Sequence, residues 1–490
     1  MTPARPRLLI EASKLADEGM DGIKRYVVEL LQALRETPLG ERWDIDLLIR
    51  DRVVPLAELP APRAGTAGPA PAAGPGPASA AQRLLRGLDP LVPPILLGPI
   101  RWLVPAWAAR RFLGKEKSEL NVPGAQGSLA VRLLPPALYA ALQACLPRRL
   151  VLALWERGRL PRRLVLPLWE RGWLLRFQRR ADPDAYDLVH LTLPNNGHYV
   201  GATRTPVLVT VHDLCHLACP EYQTRASNLT LSVGLDRAVE MGASFLAVSE
   251  ATRQQMLRAY GLDPARVATV PSGCREGLFH PVFDPRRRAE ARRRYGLPEV
   301  PFLLTLSTLE PRKNLVGTVR AFEILRAEFG VDDVILVIAG PRGWKSGELM
   351  RAVARNRERI HLPGFIDDAD LAAIYSSAAG FVYASHYEGF GFPLLEAMRC
   401  GAAVVYGDNS SMPELVGDAG LPVDSRDPRA IARQLQRLLR EEGLARELGR
   451  RALARSKEFT WQRTAADTAR VYEQRVRGAG APERRETGTW

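Results

Sequence analysis

Residues 386–401 read HYEGFGFPLLEAMRCG, a run that sets two carboxylates, Glu388 and Glu396, eight positions apart across a glycine-containing turn. The residues before it, Gly380-Phe381-Val382-Tyr383-Ala384, are apolar, aromatic and β-branched, the composition of a short buried strand. The residues after it, from Pro393 to Met398, open a helix. Proline is tolerated early in a helix because its missing N–H has no partner there, and Gly401 supplies the stop. The run therefore predicts strand, Gly-Phe-Gly turn and helix, with Glu388 in the turn and Glu396 on the helix. The first amides of such a helix lack internal partners and carry partial positive charge, so this end attracts an anion, and glycine lets backbone approach it. Ionised carboxylates only accept hydrogen bonds and so grip hydroxyl groups. Phosphate and vicinal hydroxyls together describe a sugar nucleotide, with Gly389, Phe390, Gly391 and Phe392 as further donor contacts. An ordinary turn with two solvated glutamates is the bland alternative for a bare pair at this spacing. The surrounding GFGFP and EAMRCG pattern argues against it.

Working outward, 490 residues are enough for about two or three domains with full cores. Five cysteines, an odd number, show no metal-ligand cadence; Cys215 and Cys219 lie near His212 and His216, but no second thiol pair follows, so a structural role is expected. The cysteine usage fits a reducing cytoplasm, and the amino terminus lacks an apolar run of signal length. The formal charge is +14, and residues 52–180 carry twenty Lys or Arg against six Asp or Glu, an excess equal to that of the whole chain. A neutral body with a basic appendage argues against nucleic acid as a partner of the main domains.

Arg7 to Ala12 reads as a first strand, Gly22 to Leu34 as an amphipathic helix and Asp44 to Ile49 as a second strand, the opening of a Rossmann-like domain. The pattern then breaks. Residues 60–80, PAPRAGTAGPAPAAGPGPASA, are too poor in large apolar groups to pack and read as a flexible loop. Leu91 to Ala109 has the hydropathy of a membrane span, but Arg101 and four prolines interrupt it, so no crossing is assigned. A tandem repeat follows, PRRLVLALWERGRL at 147–160 and PRRLVLPLWERGWL at 161–174, and five of the nine tryptophans lie in this basic segment. Arg, Trp and Leu on short amphipathic pieces suit an anionic bilayer surface, so residues 81–180 are expected to touch one; packing on the core or on a partner is the alternative.

Strand and helix alternation resumes with Tyr186 to Leu191 and Pro206 to Val211, the latter ending in His212 at a sheet edge where parallel sheets place ligands. Phe245 to Arg253 reads as a strand and a capped helix, and Cys274 to Arg288 as a polar interdomain hinge. Phe302 to Ser307 begins a second α/β domain and leads into Thr308-Leu309-Glu310-Pro311-Arg312-Lys313-Asn314, and Val334 to Gly340 is another buried strand.

Between Leu362 and Tyr472, the runs LPGFIDDADLAAIYSSAA, HYEGFGFPLLEAMRCGAAVV, NSSMPELVGDAGLPVD and FTWQRTAADTARVYE resemble the family 4 retaining glycosyltransferases, also called glycosyl transferases group 1 and including mannosyltransferases. The resemblance implies the GT-B fold, an α/β architecture of two Rossmann-like domains facing across a cleft. By it, Glu388 contacts the transferred sugar and Glu396 the nucleotide ribose. His212, in TVHDLCHLACPE, faces the sugar, and the backbone at Phe365 and Ile366 meets the base. Ser410 and Ser411 add phosphate donors, while Gly22 and Arg25 lie in a loop over the diphosphate. Lys313 matches the lysine that neutralises the leaving diphosphate. Thr308 stands where the family has arginine, and Arg312 is taken as its substitute; Ala384 replaces a usual proline. Two fixed cations do the work a divalent metal does elsewhere, so no cofactor and no metal are expected.

The expected domains are residues 1–51 with 181–285 on the acceptor side, a basic insertion at 52–180, a donor domain at 286–460, a helix at 461–476 crossing back, and a tail at 477–490. The resemblance implies hexose transfer from a nucleoside diphosphate sugar, GDP-mannose or UDP-glucose, to a glycan or lipid-linked acceptor in envelope polysaccharide synthesis. The expected location is the cytoplasm or the inner membrane face. A non-catalytic membrane-associated scaffold, or a nucleotide-sugar epimerase or phosphorylase on the same fold, are the alternatives.

Overall fold

The computed structural model describes residues 5–17, 21–50, 52–59, 181–200 and 203–478. The flexible loop expected at 60–80, the tandem repeat and the bilayer-facing segment at 81–180 lie outside the described residues.

The first sheet has the order β3-β2-β1-β4-β5-β6-β7. Its strands are β1 (Arg7–Glu11), β2 (Asp44–Ile49), β3 (Arg52–Pro55), β4 (Leu188–Leu191), β5 (Val207–Val211), β6 (Ser244–Ala247) and β7 (Val267–Thr269). All pairings are parallel except β2 with β3. Its helices are α1 (Gly22–Arg35), α2 (Leu39–Arg42), α3 (Cys215–Ala218), α4 (Arg225–Glu240) and α5 (Glu250–Tyr260). The second sheet is wholly parallel in the order β10-β9-β8-β11-β12-β13. Its strands are β8 (Phe302–Leu306), β9 (Ile335–Ala339), β10 (Ile360–Gly364), β11 (Gly380–Tyr383), β12 (Val404–Gly407) and β13 (Gly420–Val423). Its helices are α6 (Pro285–Arg294), α7 (Leu315–Ala327), α8 (Gly347–Arg355), α9 (Asp368–Ser377), α10 (Phe392–Arg399), α11 (Met412–Val416), α12 (Pro428–Arg440) and α13 (Leu444–Ser456). A last helix, α14 (Trp461–Gly478), follows.

The apolar strands explain this layering. Every residue of β4, β5, β9, β11 and β12 is buried, as parallel strands covered by helices on both faces require. In each sheet the order reverses once, between β1 and β4 and between β8 and β11, and open α/β sheets hold ligands at such reversals. α14 packs on the first sheet's helices and strands although it follows the second sheet's domain in sequence. The Tyr472 hydroxyl lies 2.7 Å from His190 Nδ1, and the Trp461 ring meets Tyr26 edge-on at 5.8 Å.

Four boundaries differ from the expectation. The strand at 186–191 begins only at Leu188, because Tyr186 turns its hydroxyl to Asp46 (2.8 Å) and the Asp187 carboxylate accepts the Arg7 amide (2.7 Å). The stretch 274–288 is not all linker: Asp284 accepts the Arg286 amide at 2.9 Å and starts α6 at Pro285, while Phe279 and Val282 are buried. Residues 52–55, assigned to the insertion, form the antiparallel edge strand β3 with Leu56 buried behind it. The crossing helix continues to Gly478.

Candidate active site

The turn between β11 and α10 is built by backbone demands. Gly391 has φ +105°, a conformation side chains resist, and it precedes the first turn of α10, where Pro393 sits. The Ser411 hydroxyl is buried and directed at the carbonyls of Glu388 and Phe390, 3.0 Å from each. The Ser410 hydroxyl accepts the Glu388 amide at 2.9 Å and donates to Asn409 at 3.0 Å. Both serines, expected as phosphate donors, therefore shape the turn, and the single Ser411 O–H is spent on carbonyl groups.

This turn delivers Glu388 to the end of β8. Lys313 Nζ lies 2.7 and 3.0 Å from the two carboxylate oxygens, and Arg312 Nη1 donates to Oε2 at 2.8 Å. Arg312 is gripped from behind by Glu310 Oε1, which accepts from Nη2 at 2.7 Å and Nε at 3.1 Å, while Lys313 also reaches the Tyr383 hydroxyl at 2.9 Å. Burial alone would raise the Glu388 carboxyl. Arg312 and Lys313 outweigh it and hold the group at about 2. Burial and the neighbouring Arg312 charge lower Lys313, opposed by Glu388. Thr308 gives no charge here, and Arg312 supplies the second cation from four residues on.

Glu396 is buried on α10 and faces a different set of groups. It is paired with Arg25 of α1 and accepts from the Tyr375 hydroxyl at 3.1 Å. Arg25 also reaches Asp368 at 3.1 Å, so the arginine expected over a diphosphate instead bridges two acidic groups of the second sheet's domain. Burial raises the Glu396 carboxyl, only partly opposed by Arg25. Gly22 begins α1 behind its cap Asp21, and a β-carbon there would stand 3.6 Å from the Phe392 ring. Phe365 is half exposed after β10, whereas the Ile366 side chain is in the core, leaving only its backbone to a ligand.

His212 ends β5. Its Nε2 lies 3.0 Å from the Thr192 carbonyl, which only accepts, so Nε2 carries the proton and Nδ1 is the acceptor of the neutral ring. Burial lowers its pKa and keeps the ring neutral, and Tyr26 meets it edge-on at 4.8 Å. Glu11, at the end of β1, holds the same loop by accepting from Asn196 at 2.9 Å and from the Ser13 amide at 2.7 Å. Gly389 packs directly on the His212 carbonyl, bringing the turn that carries Glu388 against this loop.

Glu310, Tyr375, Tyr383 and Asp368 belong to this arrangement and were not singled out in the sequence. Glu310 sits two residues before Arg312, a cue present in the sequence; Tyr375 meets Glu396 and Tyr383 meets Lys313 only through folding. The Cys215 and Cys219 sulfurs are free, buried and 3.0 Å apart. Among the described residues no three His, Cys, Asp or Glu side chains converge as a metal site, and no helix is long and apolar enough to cross a membrane.

Two family models match the chain, "Glycosyl transferases group 1" over residues 287–455 and "Glycosyltransferase Family 4" over residues 131–276. The chain is 32% identical over 271 residues to O-antigen chain mannosyltransferase B of Escherichia coli, covering 54% of this chain and 70% of that protein. Among solved structures, sucrose-phosphate synthase from Thermosynechococcus elongatus superposes with TM-score 0.56 at 20% identity, over 97% of this chain and all of that one. Anabaena HepE in complex with UDP-glucose gives 0.55 at 15% identity, over 96% of this chain and all of that one. Both likenesses support the GT-B fold. With two parallel sheets, the paired glutamates and a 32% identical relative covered over 70% of its length, the chain belongs to the group 1, or family 4, glycosyltransferases.

Proposed function

We propose that this glycosyltransferase moves a hexose from a nucleoside diphosphate sugar to a hydroxyl of a glycan or lipid-linked acceptor, with retention of configuration and without a metal ion. GDP-mannose is the first donor to test and UDP-glucose the second. The observation that carries this reading is Glu388 fixed between Lys313 and Arg312 at the reversal between β8 and β11, next to the amino end of α10. As the glycosidic bond breaks, the sugar becomes cationic and the diphosphate gains negative charge. Lys313, Arg312 and the first amides of α10 meet the second charge, and the ionised Glu388 meets the first through the sugar's hydroxyls. His212, neutral with Nδ1 as acceptor, orients a further hydroxyl. Glu396 is the ribose acceptor once Arg25 moves to the diphosphate.

The preference for mannose and for envelope polysaccharide rests on a relative named as an O-antigen chain mannosyltransferase; UDP-glucose is held by the HepE structure. The test is release of nucleoside diphosphate from GDP-mannose and UDP-glucose with and without crude acceptor, with the product anomer read by NMR. Glu388→Ala and Lys313→Ala each cut turnover by about 100-fold or more on this reading; unchanged turnover sinks it, and a scaffold shows none in any form. The composition of residues 81–180 supports contact with an anionic membrane surface. Deleting them removes liposome association; equal sedimentation of both forms overturns that part.

A further inference from the structure

α1 of the first sheet's domain is tied to α9 and α10 of the second by charged side chains, and Asp368 is where the ties meet. Its Oδ1 takes Arg25 of α1 at 3.1 Å and its Oδ2 takes Arg275 at 2.5 Å. Arg275 in turn meets Glu29, one helical turn beyond Arg25, at 3.1 Å. Asp368 therefore holds α1 twice, once directly and once through Arg275.

The consequence falls on Glu396. While Asp368 keeps one guanidinium nitrogen of Arg25, the other is seated on Glu396 Oε1, and the Tyr375 hydroxyl fills Oε2 at 3.1 Å. The Glu396 side chain is 4% exposed. The space left among Arg25, Arg275, Phe392, Leu395 and Glu396 is about 10 Å3, room for about one water and too small for a ribose. Neither oxygen of Glu396 is open to a hydroxyl while Arg25 stays.

The contact is of a kind that a ligand can replace. A buried ion pair adds little net stability, because both ions have lost their water, whereas one ion left alone is strongly unfavourable. A nucleoside diphosphate answers both halves: its phosphates meet Arg25, and its ribose hydroxyls donate to Glu396. A bare nucleoside answers only the second half, so the arginine holds it back more.

Resting on the donor role given to Glu396 above, we infer that Asp368 is a positioning residue that works through Arg25, keeping the ribose subsite shut until a nucleoside diphosphate draws the arginine away. The test titrates the full chain, Asp368→Asn and Glu29→Gln with GDP, UDP, guanosine and uridine by calorimetry; melts without ligand show that each variant is folded. Asp368→Asn loosens both ties and Glu29→Gln the indirect one, and neither residue contacts Glu396. A shut subsite divides affinity by the fraction of molecules that are open. With about a tenth of the wild type open, Asp368→Asn is expected to bind the matching uncharged nucleoside about tenfold more tightly, and Glu29→Gln to shift the same way by less.

Salt supplies a readout that a merely structural role would not move. Asp368 and Arg275 are 24% and 30% exposed, so added salt reaches and weakens their pairing. Raising NaCl from about 0.05 to about 0.5 M tightens nucleoside binding to the wild type and leaves Asp368→Asn without that gain. A folded Asp368→Asn with no gain in nucleoside affinity, or with the wild type's salt response, overturns the inference. A chain that binds none of the four ligands in any form sinks the donor reading and the latch with it. If Asp368→Asn binds the nucleoside more tightly and no form transfers hexose, the latch stands and the transferase reading alone falls.

Discussion

Gly389 lies so close to His212 that a β-carbon on it would stand 1.8 Å from the His212 carbonyl oxygen and 2.7 Å from Asp213 Cβ. The turn of the second sheet and the histidine loop of the first therefore meet backbone to backbone. Gly389→Ala forces them apart, at about 1–3 kcal/mol of overpacking. The expected outcome is a lower urea midpoint and a kcat that falls more than nucleotide affinity does. An alanine variant with wild-type turnover contradicts this contact.

Arg312 and Lys313 both touch Glu388, but only Arg312 also touches Glu310. Lys313→Ala leaves Glu388 one partner and removes a cation from the leaving diphosphate, a loss of about 100- to 1,000-fold in kcat for a preorganised electrostatic contact. Arg312→Ala strips two buried carboxylates at once, and breaking such pairs costs about 3–5 kcal/mol. Arg312→Ala is therefore the less stable of the two in denaturant titrations, whatever their relative activity.

The Glu388 carboxyl is lowered from 4.5 to about 2 by its two cations, against the opposing effect of burial. A lowered acid stabilises the fold fully above its unfolded value and loses that contribution as pH falls through its folded value. Between pH 4.5 and 2 the wild type therefore loses stability that Glu388→Gln never had. Unfolding curves of the two proteins converge on acidification; parallel curves contradict the pairing.

Tyr472 reaches His190 Nδ1 at 2.7 Å, and Thr210 Oγ1 occupies Nε2 at 2.8 Å. Burial lowers His190 to about 3, so the ring stays neutral and needs both partners. Tyr472→Phe leaves a buried ring nitrogen unpaired at about 1–3 kcal/mol. Thermal melts show the loss, and donor turnover below the melting transition is unchanged.

The two α/β domains were legible because apolar runs such as VLVTV and VILVIAG have one home, the middle of a parallel sheet covered on both faces. Glu388, Lys313 and Arg312 were legible because each lies within a few residues of a strand end. Arg25 and Ser411 have partners in this structure that their sequence positions do not announce, for one reason. Each is a donor next to a phosphate-binding turn in sequence, yet its partner is chosen in three dimensions. Arg25 finds Glu396 some 371 positions away, and Ser411 finds two carbonyls of the turn it was expected to assist. The linker misjudgement at Pro285 came from charge: PRRRAEARRR looks like solvated chain, but Asp284 caps it and Ala291 anchors it.

The chain passes between its halves twice, and the two passages touch: Cys274 bridges Thr460 in parallel, and a β-carbon on Gly273 would stand 2.3 Å from the Trp461 amide nitrogen. Two adjacent tethers behave like the spine of a book, leaving rotation about one line easy while sliding and twisting strain both covers. Displacement then grows with distance from that spine, so groups far from Cys274 and Thr460 travel furthest when the halves part.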